Sequence, residues 1–434
     1  MTVLRSLAVR PDPLAIAARL AGRPGLAILV SRPQGALRAE DARYSFVACD
    51  PCDRGDAVVP PGPFAPERGF DGTRAGPLWI GAVPYDAVGV ARPRGVSSDE
   101  RLPRLPMRPA WRRYPAVVRI DHATGHVAIE ADDDASAHRL ASAIRQARGS
   151  SPGFSVRLEG PEEDPRTHVE RVREALRLIA AGEAYEINLC RRMQLTLRGD
   201  ALSLFGSLLK IAPAPWGYFQ DFGDFLVLGA SPELALSVRG KALRTCPIKG
   251  TRPRGRDADD DRRAARELDT DPKERAELVM AVDVHRNDLG RVAQVGTVRL
   301  LDAPRVVAGL TVWSRVAEVV ASRAPGATLA DVVDAVLPCG SVTGAPKRRA
   351  MEIITALESS RRGAYTGAFG YVGRDGALEL AVAIRTIQAG PPTGVEQVRA
   401  ACYFAGGGIV ADSDPERELE ETRWKAVQIT RLGT

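Results

Sequence analysis

Residues 364–409 do most to limit what this chain can fold into, because they read as apolar runs following one another with very short connections. Asp375-Gly376 marks the first turn, and the whole segment reads as a meander of three strands. A parallel pair would need a crossover of about a dozen residues or more, which these connections cannot supply. The same habit recurs upstream, with strands expected at 26–30, 43–47, 78–85, 185–197, 225–230 and 234–238. Residues 116–130 read as two more, split by the turn His122-Ala123-Thr124-Gly125. Helices are expected over 13–20, from Asp164-Pro165 onward, over 271–295, 329–336 and 346–357, and after Asp414-Pro415. Largely antiparallel sheets covered by long helices follow from this order. The polar stretch 146–164, punctuated by Gly149, Pro152, Gly153 and Pro161, is the natural boundary, giving regions 1–150 and 160–434.

Several function classes are disfavoured at once. No run approaches the ~18 apolar residues of a membrane span, and Arg5, Arg10, Arg19 and Arg23 interrupt the N-terminus where a signal peptide needs an apolar block. A cytoplasmic protein without a membrane partner is expected. The net charge of +6 raises nucleic-acid binding, but the arginines alternate with acids along helical patterns and aromatics make up only 5% of the chain. No nucleic-acid partner is expected. Cys49 and Cys52 form the one C-x-x-C, with neither a second pair nor a histidine cluster, so free thiols are expected.

Lysine is scarce: positions 210, 241, 249, 273, 347 and 425 hold all six, in a chain with 60 basic residues. Arginine serves wherever a fixed charge suffices, whereas lysine can shed its proton when desolvated. Lys249, in Pro247-Ile248-Lys249-Gly250-Thr251, is therefore either a solvated loop lysine or a reactive amine. Glu274 and Glu277 share one helix face, and Glu418 and Glu421 share another. They are either solvated acidic faces or, if the two faces meet, oxygen ligands suited to Mg²⁺. Asp283 and Asp288 read as surface residues of the first of these helices. Gly406-Gly407-Gly408 closes an apolar strand, as a plain turn or as amides facing an anion. The segment 341–347 turns into a helix whose first residue is Pro346, an ordinary cap or a carboxylate site. Arg385 ends an apolar strand, where a paired or ligand-holding arginine is expected, and Glu233 leaves another, as a solvated turn residue or a general acid.

Taken in order, Arg43-Tyr44-Ser45-Phe46, Gly229 to Glu233, Asp271 to Glu277, Arg286 to Val292, Gly340 to Lys347 and Gly406 to Lys425 resemble the chorismate-utilising enzymes. That family includes anthranilate synthase component I, aminodeoxychorismate synthase component I, and the isochorismate and salicylate synthases. The resemblance implies an α/β (α+β) sandwich of stacked, largely antiparallel sheets flanked by helices. It also separates branches. Pro-Ile-Lys-Gly-Thr resembles the aminodeoxychorismate synthases, where anthranilate synthases carry alanine in place of Lys249. Glu186 stands where isochorismate and salicylate synthases carry a water-activating lysine. The implied chemistry is attack of an uncharged Lys249 on C2 of chorismate, with Glu233 assisting departure of the C4 hydroxyl, followed by ammonia at C4. Glu277, Glu418 and Glu421, with Glu274 adjacent, are implied Mg²⁺ ligands. Arg385 and Tyr365 are implied to hold the enolpyruvyl carboxylate, and Thr343, Gly406, Gly407, Gly408 and Lys425 to surround the ring carboxylate and metal. The family-like motifs run to the last helix, so ammonia is expected from a separate glutamine amidotransferase subunit in a heterodimer. Thr311 replaces a histidine usual in the family, and Cys339 a common glycine.

Overall fold

The computed structural model describes residues 2–61, 76–88, 108–146, 153–161, 163–309, 312–430 and 432. Thr311 and much of the expected boundary 146–164 lie outside the described residues. Among the described residues the strands form sheets of twelve, nine and three, in which neighbouring strands are paired antiparallel. Strands of region 1–150 pair directly with those of region 160–434 in both large sheets. Ala27–Ser31 lies beside Trp216–Asp221 in one, and Pro77–Val83 beside Ala368–Gly373 in the other. The two regions thus share one framework, and a single apolar cluster runs from Ile16 and Val118 to Phe205 and Tyr403.

Local signals set the helix starts. Asp164 accepts from the Arg166 amide ahead of Pro165–Ala180, and Asp271 accepts from the amides of Lys273 and Glu274 ahead of Pro272–Gly290. Each cap satisfies amides that a helix start leaves without partners, and the proline beside it has no amide to lose. Two helices lie where no helix was expected, Asp134–Gln146 and Ala201–Ile211, and the arginine–acid pattern around 262–275 holds the helix Ala258–Thr270 ahead of Pro272–Gly290.

Three expectations need correction. The 364–409 segment holds four strands, and it divides between sheets. Ala368–Gly373 and Leu378–Val382 belong to the nine-stranded sheet, Thr386–Ala389 and Arg399–Ile409 to the twelve-stranded one. The helix expected from 346 begins at Lys347, with Pro346 as its cap. Asp288 is buried, only 3% exposed, and pairs with Lys347 at 2.6 Å. That pair welds Pro272–Gly290 to Lys347–Leu357, and Lys347 also donates to the Val336 carbonyl at 2.9 Å.

The chain changes sheets repeatedly, and three of these passages matter for the site. It leaves the twelve-stranded sheet after Leu226–Ser231 and enters the nine-stranded one at Leu234–Arg239, with Glu233 between. It returns between Leu378–Val382 and Thr386–Ala389, with Arg385 between. The two passages touch: the Val382 amide donates to the Glu233 carbonyl, and the Ala230 amide to the Arg385 carbonyl. A third passage, at Pro247, leads into the three-stranded sheet and Lys249.

Candidate active site

Glu233 is 3% exposed and accepts a 2.5 Å hydrogen bond from the Ser341 hydroxyl. Burial pushes its carboxyl up to about 7, against opposing pulls from Ser341 and Lys249. A carboxyl that keeps its proton near neutrality is what a general acid requires.

Lys249 lies at the start of Ile248–Pro253 with a side chain only 10% exposed, and its Nζ donates to Glu186 Oε1. Burial disfavours its charge, but Glu186, Glu277 and Glu233 together outweigh burial, so its proton is held more tightly than in water. The expectation that burial lowers the pKa of this amine is thus corrected: the surrounding acids raise it instead. Gly250 follows at φ +81°, and a Cβ there would come within 2.7 Å of Glu274 Oε2. Glycine lets the chain turn away from the amine while Glu274 packs beneath it.

Gly406–Gly408 form no turn. They are extended residues of Arg399–Ile409, in register with Cys190, Leu189 and Asn188 of Glu186–Gly199. What they supply is room. A Cβ on Gly408 would meet the Glu186 carboxylate and lie 3.2 Å from Lys249 Nζ. On Gly407 it would lie 3.2 Å from Glu418 and 3.4 Å from Glu421. Successive strand residues face opposite ways, so this bare ribbon has the amine and Glu186 on one side and Glu418 and Glu421 on the other.

Those acids are only partly gathered. Glu277 is pushed up to about 7 by burial and by neighbouring Glu274 and Glu186. Glu418 is raised by burial and by Glu421, while Ser413 donates to it at 2.7 Å. Lys273 lies within electrostatic reach of both Glu277 and Glu418, so the two acidic faces lie on the same side of the site. Glu274, however, is engaged by Arg252 at 3.0 Å and Glu421 by Lys425 at 2.6 Å. Among the described residues no three such side chains converge as ligands. The set nevertheless fits a hard dication: the donors are carboxylate oxygens, two of them hold protons unusually well, and the adjoining glycine leaves the space open.

Arg385 sits in the second passage rather than at a strand end, in the left-handed region at φ 51°. Burial lowers its pKa, and among the described residues Tyr403 is its one electrostatic neighbour and it makes no ion pair. A half-buried guanidinium without a counter-ion among the described residues is suited to an anion. Its neighbour Ile384 packs against Tyr365, which stacks on Phe404 at 5.1 Å. Thr343 is fully buried, and its hydroxyl donates to the Cys339 carbonyl at 2.9 Å, so it has no hydrogen to offer an anion. Lys425 donates to the Gly406 carbonyl at 2.6 Å besides pairing with Glu421. Both were expected to help surround the ring carboxylate and metal; here their hydrogens go to the protein itself.

Two residues carry more than their sequence signal suggested. Ser341 stood in a motif without a role, and Arg362 was not marked at all. Arg362 uses every N–H it has: two on Glu358, and the rest on the carbonyls of Val342 and Asn188 and the Thr366 hydroxyl. It ties together the segments bearing Ser341, Glu186 and Tyr365. The Glu358/Arg362 spacing of four was the available clue.

The sequence pattern of the family described as chorismate binding enzyme matches residues 58–431. Anthranilate synthase component 1 of Thermus thermophilus is 40% identical over 315 residues, 70% of this chain and 66% of that protein. Aminodeoxychorismate synthase component 1 of Bacillus subtilis is 39% identical over 263 residues, 61% of this chain and 54% of that protein. The chain thus matches between about half and two thirds of the length of these relatives. Among solved structures, anthranilate synthase component I of Streptococcus pneumoniae superposes with a TM-score of 0.73 at 26% identity, covering 91% of this chain and 94% of that one. The menaquinone-specific isochorismate synthase of Escherichia coli shares the fold at a TM-score of 0.77 and 19% identity, covering 100% of this chain and 94% of that one. The stacked antiparallel sheets with flanking helices are the fold these proteins share, and the chain belongs to the family of chorismate binding enzymes.

Proposed function

We propose that the protein replaces the C4 hydroxyl of chorismate with an amino group, as an aminodeoxychorismate synthase component I, using ammonia from a separate glutamine amidotransferase subunit. The observation that carries this reading is Lys249: a lysine in an arginine-rich chain, enclosed with Glu233 and Glu186. In the proposed course the Lys249 amine attacks C2 while Glu233, holding its proton near neutrality, gives it to the departing C4 oxygen. Ammonia then takes C4 and the lysine is released. Arg385 has the charge to hold a substrate carboxylate, and Tyr365 belongs to the cluster against which the adjoining Ile384 packs. Glu277 and Glu418, with Glu421 once freed from Lys425, would hold Mg²⁺, which when bound screens the acids and anchors an anionic ring. Among the described residues no helix is long and apolar enough to cross a membrane, which accords with a cytoplasmic enzyme.

A second reading, anthranilate synthase component I, draws on the Thermus relative. Product analysis separates them. Incubation with chorismate, Mg²⁺ and ammonium should yield 4-amino-4-deoxychorismate, and Lys249→Ala should lose that product while still binding chorismate. Blue-fluorescent anthranilate formed without any added lyase would overturn the assignment.

A further inference from the structure

The proposed nucleophile holds its proton more tightly than in water, and an ammonium has no lone pair with which to attack. Something must take its proton, and proton transfer needs a hydrogen-bonded acceptor. Four ionisable groups act on Lys249 or are acted on by it: Glu186 from the strand Glu186–Gly199, Glu233 from the sheet passage, and Glu277 and His285 from Pro272–Gly290. Glu233 carries its own proton and takes the Ser341 hydrogen bond. Glu277 lies toward Lys273, 3.9 Å away, on the helix with the other acids. His285 has its Nδ1 engaged with Thr245 at 2.7 Å, and burial pushes it down to about 3, so it is a poor acceptor. Among the described residues only Glu186 is hydrogen-bonded to Nζ. Its side chain is 3% exposed, so bulk water is a poor competitor for the proton, and Gly408 leaves the space in which the two groups touch.

Resting on the amination reading, we propose that Glu186 is a further catalytic residue, the base that takes the Lys249 proton before attack and returns it when the lysine leaves. The steps balance. Glu186 accepts one proton, and the freed amine forms the N–C2 bond. The ring double bonds move from C1=C2 and C5=C6 to C1=C6 and C4=C5, and the C4–O bond breaks with the Glu233 proton, releasing water. The adduct nitrogen carries two hydrogens and a positive charge, so it can depart as a neutral amine. Ammonia bonds at C4, the double bonds shift back, the C2–N bond breaks, and Glu186 reprotonates the lysine. The extra proton on the new C4 ammonium restores Glu233.

The test uses purified full-length protein with saturating Mg²⁺ and ammonium. Glu186→Gln keeps size and polarity but cannot accept the proton. It should lower kcat by about 10²-fold or more, with KM for chorismate within about threefold of wild type. Its residual rate should climb with pH as solvent base takes over, while wild type responds far less over the same range. Glu186→Asp retains a carboxylate on a shorter stem and should recover part of the loss; it also serves if Glu186→Gln fails to fold. Wild-type kcat with an unchanged pH profile in Glu186→Gln, or equal losses in both variants, overturns the proposal. If wild type itself makes no 4-amino-4-deoxychorismate, the amination reading has failed, a result visible before any variant is compared.

Discussion

Replacing Glu233 with glutamine should make the protein more stable at alkaline pH while removing its activity. The carboxyl is 3% exposed, and burial moves it from an ordinary 4.5 to about 7. A folded-state value above the unfolded one means the folded protein binds the proton more tightly. The associated stability is fully present below pH 4.5 and is lost progressively as pH rises through about 7. A displacement of this size corresponds to about 3 kcal/mol between the two ends of the window. Glutamine has nothing to ionise, and its carbonyl oxygen can still accept from Ser341. At pH 4 the two proteins should therefore unfold at similar denaturant concentrations. By pH 8 the variant should be ahead by about 3 kcal/mol. Urea unfolding followed by tryptophan fluorescence at unit steps of pH measures the divergence. In parallel, kcat with ammonium should fall by about 10²–10⁴-fold, the usual worth of a positioned acid. A stability gap that stays constant from pH 4 to 8 would refute the argument, because it would mean Glu233 ionises as freely folded as unfolded.

Two further substitutions probe the walls of the site. Arg385→Gln should raise KM for chorismate by about 10- to 100-fold, the worth of a charged hydrogen bond, without lowering the unfolding midpoint, since no ion partner is stranded. Isothermal titration and thermal unfolding test both halves, and undiminished affinity would remove Arg385 from substrate binding. Gly408→Ala should cost at least about tenfold in kcat by displacing Glu186 and Lys249, with the circular dichroism spectrum unchanged. Full activity would show that the space above Gly408 is not used.

The parts of the site legible in the sequence were those with a local signature. Spacing of three placed Glu274 with Glu277 and Glu418 with Glu421 on common helix faces, and rarity singled out Lys249. The connections of residues 364–409 correctly implied antiparallel pairing. What remained hidden was non-local. Nothing in that segment says that Leu378–Val382 pairs within one sheet and Thr386–Ala389 within another, because the choice depends on partners more than a hundred residues away, Leu234–Arg239 and Leu226–Ser231. Nor does the local pattern of Asp288 report burial, which Lys347 makes affordable from another helix. Thr343 and Lys425 sit in the family motifs, yet their hydrogens go to the carbonyls of Cys339 and Gly406. A motif fixes where a side chain begins, and the competition among nearby acceptors decides where it ends.

The sheet passages explain why reactive groups gather here. Inside a ladder each residue's backbone is paired and its side chain faces either core or solvent. Where the chain crosses between sheets the ladder lapses; Glu233 and Arg385 stand at such lapses, and Lys249 lies where the register slips between Ile248 and Thr251, just past another. The conformations there are costly. Arg385 and Thr366 both hold positive φ, at about 1–3 kcal/mol each, and a neutral glutamic acid and an unpaired guanidinium add more. Arg362 offsets part of this by bonding Thr366 and the carbonyls on either side, with Glu358 as its buried counter-ion. A fold of uninterrupted sheets would be easier to stabilise and would leave no unpaired groups to act on an anionic ring. Three crossings packed against one another set an acid, an amine and a cation around a common space, and the large sheets on either side keep them there.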